Sequence, residues 1–405
     1  MFLCLSVLSL LLTLRWPVWC LCAYVIVEHS SRRYGAELGF IYAAGITELM
    51  AVLGSAGVVV WWLKSPAETR PLLPPLVILT GALCGWALIS ATVDFFRLEH
   101  TVFEVKHHPV RYLDGFLLCA VAGTAIRSRV DFQFIVYAFV VAIIWRCVIE
   151  PDSLHLDGDA GELIAIAVPL LLMTVWTARH TLIRAACVAG VVYLVYILFV
   201  IQSRGAGVGL AAGLISLWLL STRRWAYLVF GAPALLLCFV VVYDSEFGAR
   251  IRGSVPGGST FNTVESRFRL WSGALEMSRD YWLTGVGPGN YSTRIQDYKQ
   301  GRGSVTAAHN NVLSVLAELG LPGLILYAAI VILALRLLCK LSGHRLSAWP
   351  GPESRAVFGA LMAHIFAGAF ITRHDQGLLF LLLGAAAALC SIDSQTRRDA
   401  KNVTN

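Results

Sequence analysis

Three nitrogen-bearing side chains stand where a very apolar chain should resist them. Arg204 lies within YLVYILFVIQSRGAGVGLAAGLISLWLL, Arg267 within NTVESRFRLWSGALEMSRDYWLTGVGPGNY, and His309 within TAAHNNVLSVLAELGLPG. A charged side chain near hydrocarbon costs a few kcal/mol even on lenient insertion scales, and it marks a ligand pathway or an interfacial anchor. For Arg204 both readings stand: anion capture, or snorkelling to headgroups. Arg267 lies four residues before Trp271, so the two share a helix face where a guanidinium can lie against an indole. Arg269 is about 200° around that helix and faces water. His309 precedes a helical run that begins at Asn310. The positive end of that helix, with arginines nearby, disfavours imidazolium. A neutral imidazole can accept a proton and act as a general base; an interfacial polar residue is the plainer reading. Asn310 and Asn311 could cap the helix or hydrogen-bond a substrate.

The elements that must carry these groups are membrane helices. Of 405 residues, 57% are hydrophobic and 14% charged, and the mean hydropathy is +0.70. Soluble domains carry about a quarter charged residues, so the fold class expected is an all-α polytopic membrane protein. Spans of about 20 apolar residues give twelve candidates, near 2–27, 36–63, 73–96, 111–126, 130–149, 160–178, 181–201, 204–220, 225–243, 319–340, 355–372 and 376–392. Three regions follow: nine helices over 1–243, a long polar segment carrying short helices over 244–318, and three helices with a short tail over 319–405. Lysine and arginine concentrate in alternate short loops (Lys64, Arg70, Arg127, Arg129, Arg179, Arg184, Arg223, Arg224, Arg336 and Lys340 among them). The positive-inside bias then sets both termini in the cytoplasm and 244–318, with His309, outside. The net charge of +7 belongs to this topology, and no nucleic-acid partner is expected. The N-terminus has no basic n-region, so a removed signal peptide is not expected.

Local patterns refine the elements. Gly205, Gly209 and Gly213 recur every four residues, a face that admits close approach of another helix. Asn262 and Glu265 fit a capping box opening a helix over about 263–282, with Phe268, Trp271, Leu275 and Trp282 near one side. An amphipathic helix lying on the membrane explains that pattern without chemistry; a buried anion requires the second arginine. GVGPGNY lacks the Lys-Ser/Thr of a phosphate-binding loop and reads as a turn. The run after Asn310 breaks at Gly320-Leu321-Pro322-Gly323. The ten cysteines read as small apolar residues with no disulfide or metal spacing.

Four further groups compete for attention. Asp157-Gly158-Asp159 in EPDSLHLDGDAGE has two carboxylates that could hold a divalent ion on a diphosphate, but an acidic outer loop is the ordinary reading. Asp375, in ITRHDQGLL, is either a loop aspartate or a partner for His309 or an acceptor sugar. Arg146 is a third candidate for a diphosphate contact, or an interfacial anchor. His364 lies within the eleventh span and should find a partner on another helix.

QSRGAGVGL, SRFRLWSGALEMSRDYWLTGVGPGNY and HNNVLSVLAELGLPGLILY, in that order, resemble the signature stretches of the O-antigen ligase and O-antigen polymerase superfamily. The resemblance covers roughly 200–330; elsewhere the helices are similar only in number and hydrophobicity. It implies about twelve transmembrane helices, one large periplasmic loop, an inner-membrane location, and transfer of glycan from an undecaprenyl diphosphate carrier. By resemblance Arg204 and Arg267 take the diphosphate and His309 the acceptor hydroxyl. Trp271, Asn310, Asp375 and Arg146 are secondary binding candidates. The implied reaction is metal-independent, inverting and without a cofactor, with no nucleophilic carboxylate. The ligase reading makes the lipid A–core oligosaccharide the acceptor; the polymerase reading makes it a second lipid-linked glycan. A transporter for the same lipid is the alternative from another class, although no internal repeat relates the two halves.

Overall fold

The computed structural model describes residues 17–29, 74–98, 108–149, 158–201, 203–221, 259–298, 307–344, 349–370 and 377–404. Every regular element among them is a helix: α1 (Pro17–His29), α2 (Pro75–Leu98), α3 (His108–Ala125), α4 (Arg129–Ile149), α5 (Gly158–Thr177), α6 (Thr181–Ile201), α7 (Arg204–Leu220), α8 (Ser259–Asp280), α9 (Tyr291–Tyr298), α10 (Asn311–His344), α11 (Gly351–Ala367) and α12 (Gly377–Thr404). Six of the described helices are long and apolar enough to cross a membrane, namely α2, α4, α5, α6, α10 and α12. The chain is a multi-pass, all-α membrane protein. The expected spans 36–63 and 225–243 lie outside the described residues.

Small residues set the centre of the bundle, where α5 and α12 are the most enclosed spans. Between helices already in lipid, dispersion contacts and close backbone approach provide the attraction. The expected glycine face does this for α7. Gly205, Gly209 and Gly213 are all buried, and a methyl at Gly209 would sit 2.6 Å from the Ala363 carbonyl oxygen. At Gly213 it would sit 2.9 Å from the Gly359 oxygen, so α7 and α11 touch backbone to backbone. Alpha-5 packs against both. The outer surface is different: α6 exposes Leu182, Val192 and Tyr196, as a helix facing lipid does.

Helix α10 starts at Asn311, one residue after the expected Asn310, and is interrupted where the sequence suggested, at Gly320 (φ 68°, ψ −172°). Pro322 has no N–H to return to the Glu318 carbonyl, and the kink takes the Leu321 N–H elsewhere. The groups so released find partners in the turns over 281–290 or on α2. Val286 N–H donates to Ala317 O (2.9 Å), Gly287 N–H to Glu318 O (3.0 Å), and Leu321 N–H to Trp282 O (2.8 Å). The Ser90 hydroxyl and the Trp86 indole, both on α2, donate to Glu318 O (3.1 Å) and Leu319 O (2.8 Å). An unpaired backbone group at this depth would cost several kcal/mol, so the turn and the kink require each other. Gly285 (φ 69°) and Gly320 make the backbone approach possible, since a Cβ at either would strike the opposite chain.

Three expectations are corrected. Helix α8 begins at Ser259, so Asn262 is inside it and is not its N-cap. The last helix continues to Thr404, past the end of its apolar stretch. Arg146, in the last turn of α4, is buried at 4% exposure and is therefore not an anchor at the lipid surface.

Candidate functional site

Alpha-7 begins at Arg204, with Ser203 as N-cap accepting from the Ala206 N–H. A methyl at Gly205 would sit 2.7 Å from the Phe370 Cβ, just beyond the C-terminus of α11. At that same C-terminus Gly368 O accepts a 2.7 Å hydrogen bond from Asn311 N–H. The first turns of α7 and α10 thus meet at one end of the bundle, with the end of α11 between them. The start of α5 joins them, because Gly161 faces Ser203 and Ala206. Three helix N-termini, each carrying partial positive charge, share this end.

His309 is the residue before the α10 cap and holds a left-handed backbone, φ 49°, which non-glycine residues adopt only when their surroundings impose it. Three bonds impose it here. The Trp271 indole N–H donates to Ala308 O at 2.8 Å. Asn310 Oδ1 accepts from Leu313 N–H at 3.1 Å, a side-chain N-cap. The third is Asn311 N–H to Gly368 O. Ala308 and Ala317 are themselves buried in a small second core with Leu270, Ala274, Met277, Val286, Tyr291 and Ile295. This core joins α8, α9, the glycine turn and the first turns of α10. The polar side of Trp271 is therefore committed to the histidine segment.

Arg267 lies one turn before Trp271 on α8 and is partly buried. Burial lowers its pKa, and the Arg204 charge lowers it further. An arginine stays charged, so this depression marks two like charges held near one another. Burial also pushes the His309 pKa below the ordinary histidine value, and the Arg267 charge adds to the effect. Arg204, Arg267 and His309 are thereby linked in sequence by their fields, though they come from three separate stretches of chain. The result is an imidazole biased toward its neutral form by Arg267, with Arg204 acting in turn on Arg267.

The remaining candidates divide. Trp271 and Asn310 are at the site, and both have structural tasks there. Arg269 is exposed, as its helical angle required. Arg146 lies on α4, which packs against α1, α5 and α6. Asp375 and Asp157 lie outside the described residues. Among the described residues no cluster of three or more His, Cys, Asp or Glu has the arrangement of a metal site. Phe268 and Leu275 on α8 are 60% and 46% exposed, and Trp282, in the turn just after it, is 58% exposed, an apolar surface turned outward as an interfacial helix requires.

Two groups near the site escaped the spacing arguments. His364 does find its helix partner: Nδ1 lies 2.7 Å from Glu162 Oε1, with both side chains almost wholly enclosed. The only local signal for Glu162 was a carboxylate at the head of an apolar run, and nothing in it named His364. The Tyr327 hydroxyl lies beside the Asn311 side chain and within the field of Glu162.

No curated protein matches the chain. Residues 189–328 match a family model described as O-antigen ligase, and that segment contains Arg204, Arg267, Trp271, the glycine turn, His309 and the α10 kink. Over that segment the chain is similar to the O-antigen ligase family.

Proposed function

We propose that the protein is an O-antigen ligase, moving O-antigen glycan from undecaprenyl diphosphate to the lipid A–core oligosaccharide on the periplasmic side of the bacterial inner membrane. The observation that carries this reading is the electrostatic link of Arg204 to Arg267 and of Arg267 to His309 inside the family segment. A lipid diphosphate is a leaving group with concentrated negative charge. Two guanidinium groups and three helix N-termini can stabilise that charge as it develops, which is worth most in a site shielded from water.

The chemistry is a single displacement. An acceptor sugar hydroxyl attacks the anomeric carbon of the donor while the bond from that carbon to the diphosphate oxygen breaks. Undecaprenyl diphosphate leaves with the bonding pair, and His309, neutral at pH 7, takes the hydroxyl proton. Attack opposite the departing oxygen inverts the anomeric configuration. The positive charge comes from arginine, so the reaction needs no metal ion. Trp271 and Asn310 set the position of the histidine. The apolar face of α8 lies at the membrane surface, where both lipid-anchored substrates present their sugars.

Purified protein in detergent, given lipid-linked O-antigen and rough lipopolysaccharide, should form the joined product with EDTA present. Arg204→Ala and Arg267→Ala should each lower kcat by about 100- to 1,000-fold, the usual loss for one transition-state donor. No product in detergent would favour a transporter. In cells, loss of a ligase leaves long polymer on the carrier and bare core, whereas loss of a polymerase leaves core bearing at most one unit; the second pattern would overturn the acceptor assignment.

A further inference from the structure

Glu162 and His364 are 1% and 2% exposed, inside a bundle that crosses a membrane. An ionisable pair so placed is costly to maintain. Apolar residues of similar volume often do as well or better for stability, so the pair calls for a task beyond holding helices together. Its position suggests one. Glu162 is in the first turns of α5 and His364 in the last turn of α11, and both elements end beside the candidate site.

From this pair two connections reach the segment that carries His309. Along the α11 backbone, Gly368 N–H donates to His364 O (2.8 Å), and Gly368 O accepts from Asn311 N–H (2.7 Å). Through side chains, Tyr327 on α10 lies in the field of Glu162 and beside the Asn311 amide. Asn311, 3% exposed, is thus held by its backbone and enclosed at its side chain, two residues after His309. The strained backbone of His309 needs this kind of constraint, because its φ of 49° is not what the residue adopts by itself.

We propose that Glu162 and His364 are positioning residues: a buried carboxylate–imidazole pair that, through Gly368, Tyr327 and Asn311, fixes the His309 segment in its productive orientation. They touch no substrate. The inference rests on the ligase reading and assigns to that site a support three helices deep. Displacing a base by about 1 Å from afar can cost as much as a hundredfold in rate, and the loss falls on turnover and not on binding of a donor held by Arg204 and Arg267.

The test is steady-state transfer by purified full-length protein, with folding followed by size exclusion and thermal melting in detergent. Glu162→Leu and His364→Leu should each lower kcat by about ten- to a hundredfold with KM within about twofold. Their double variant should be no worse than the more damaging single one, since both break one unit. Glu162→Gln, whose amide oxygen can still accept from Nδ1–H, should recover most of the lost turnover. Tyr327→Phe removes one oxygen with little change of shape and should lower kcat in the same way, which keeps the test open if the leucine variants fail to fold. Folded leucine variants with normal kcat, a loss confined to KM, additive losses in the double variant, or a fully active Tyr327→Phe beside misfolded leucine variants would each overturn the proposal. His309→Ala in the same assay separates the two readings. If it is inactive while the buried-pair variants are normal, only this inference falls; if it keeps full turnover, the ligase reading falls and takes the inference with it.

Discussion

At the scale of single residues, the proposed site holds one imidazole and one guanidinium group, those of His309 and Arg267, that differ from their free counterparts. His309 loses basicity first to burial and then to the Arg267 charge. The sign is set by that depression: the active, neutral form persists to a lower pH than an unperturbed histidine at 6.5, and activity falls only as pH drops through the lowered value. Removing the nearby cation reverses part of this. Arg267→Ala should move the acid limb of kcat/KM to higher pH, toward the ordinary histidine value, as well as lowering the plateau. A plateau loss with an unmoved limb would show that the arginine field does not reach the base. The downward shift of His309 was anticipated in the sequence from nearby arginines and a helix start, but burial, its larger cause, was not. Its strained φ was not, because that depends on Trp271, Asn310 and Gly368 acting together.

At the scale of elements, the end of the bundle that carries the candidate site is assembled by two backbone contacts. One is the α7–α11 glycine seam, which seats Arg204 beside the end of α11. The other is the docking of the GVGPGN turn on the α10 kink, which binds the α8–α9 segment to the helix of His309. Gly209→Leu should force the seam apart and destabilise the protein by about 1–3 kcal/mol, the usual cost of overpacking. A lowered melting temperature in detergent would report it; unchanged melting and turnover would show that the seam is dispensable. The glycine spacing and the break at Gly320 could be read directly, since each is a local rule about small residues or proline. The docking could not, because its hydrogen bonds join residues distant in sequence and released only once the kink forms. The same holds for Glu162 and His364. The capping-box reading of Asn262 was misled by a helix that begins one turn earlier.

At the scale of the whole molecule, composition and the spacing of apolar runs were enough for an all-α membrane fold, and the described helices follow the expected spans closely. The loop charges suggested that Arg204, Arg267 and His309 share the outer side, but their meeting was suggested only by resemblance, because three segments brought together by tertiary packing leave no shared local pattern. Orientation in the membrane makes a direct prediction. Arg269 is exposed near the end that carries the candidate site, and Lys340 is exposed near the far end of α10. With the outer membrane made permeable, Arg269→Cys should react with a membrane-impermeant maleimide in intact cells. Lys340→Cys should react only after the inner membrane is opened. The opposite pattern would put the site in the cytoplasm and overturn the proposed orientation.

The claim on which the account turns is that an uncharged His309 takes the proton of the acceptor while the arginines hold the departing diphosphate. Single-turnover transfer measured against pH, for wild type beside His309→Gln, tests it most directly. Wild type should lose rate on the acid side with a midpoint below 6.5, the direction in which burial and Arg267 move this imidazole. His309→Gln should be slower by about 100-fold or more and lack that limb. A glutamine variant with near-normal rates, or one that keeps the same acid limb, would contradict the account.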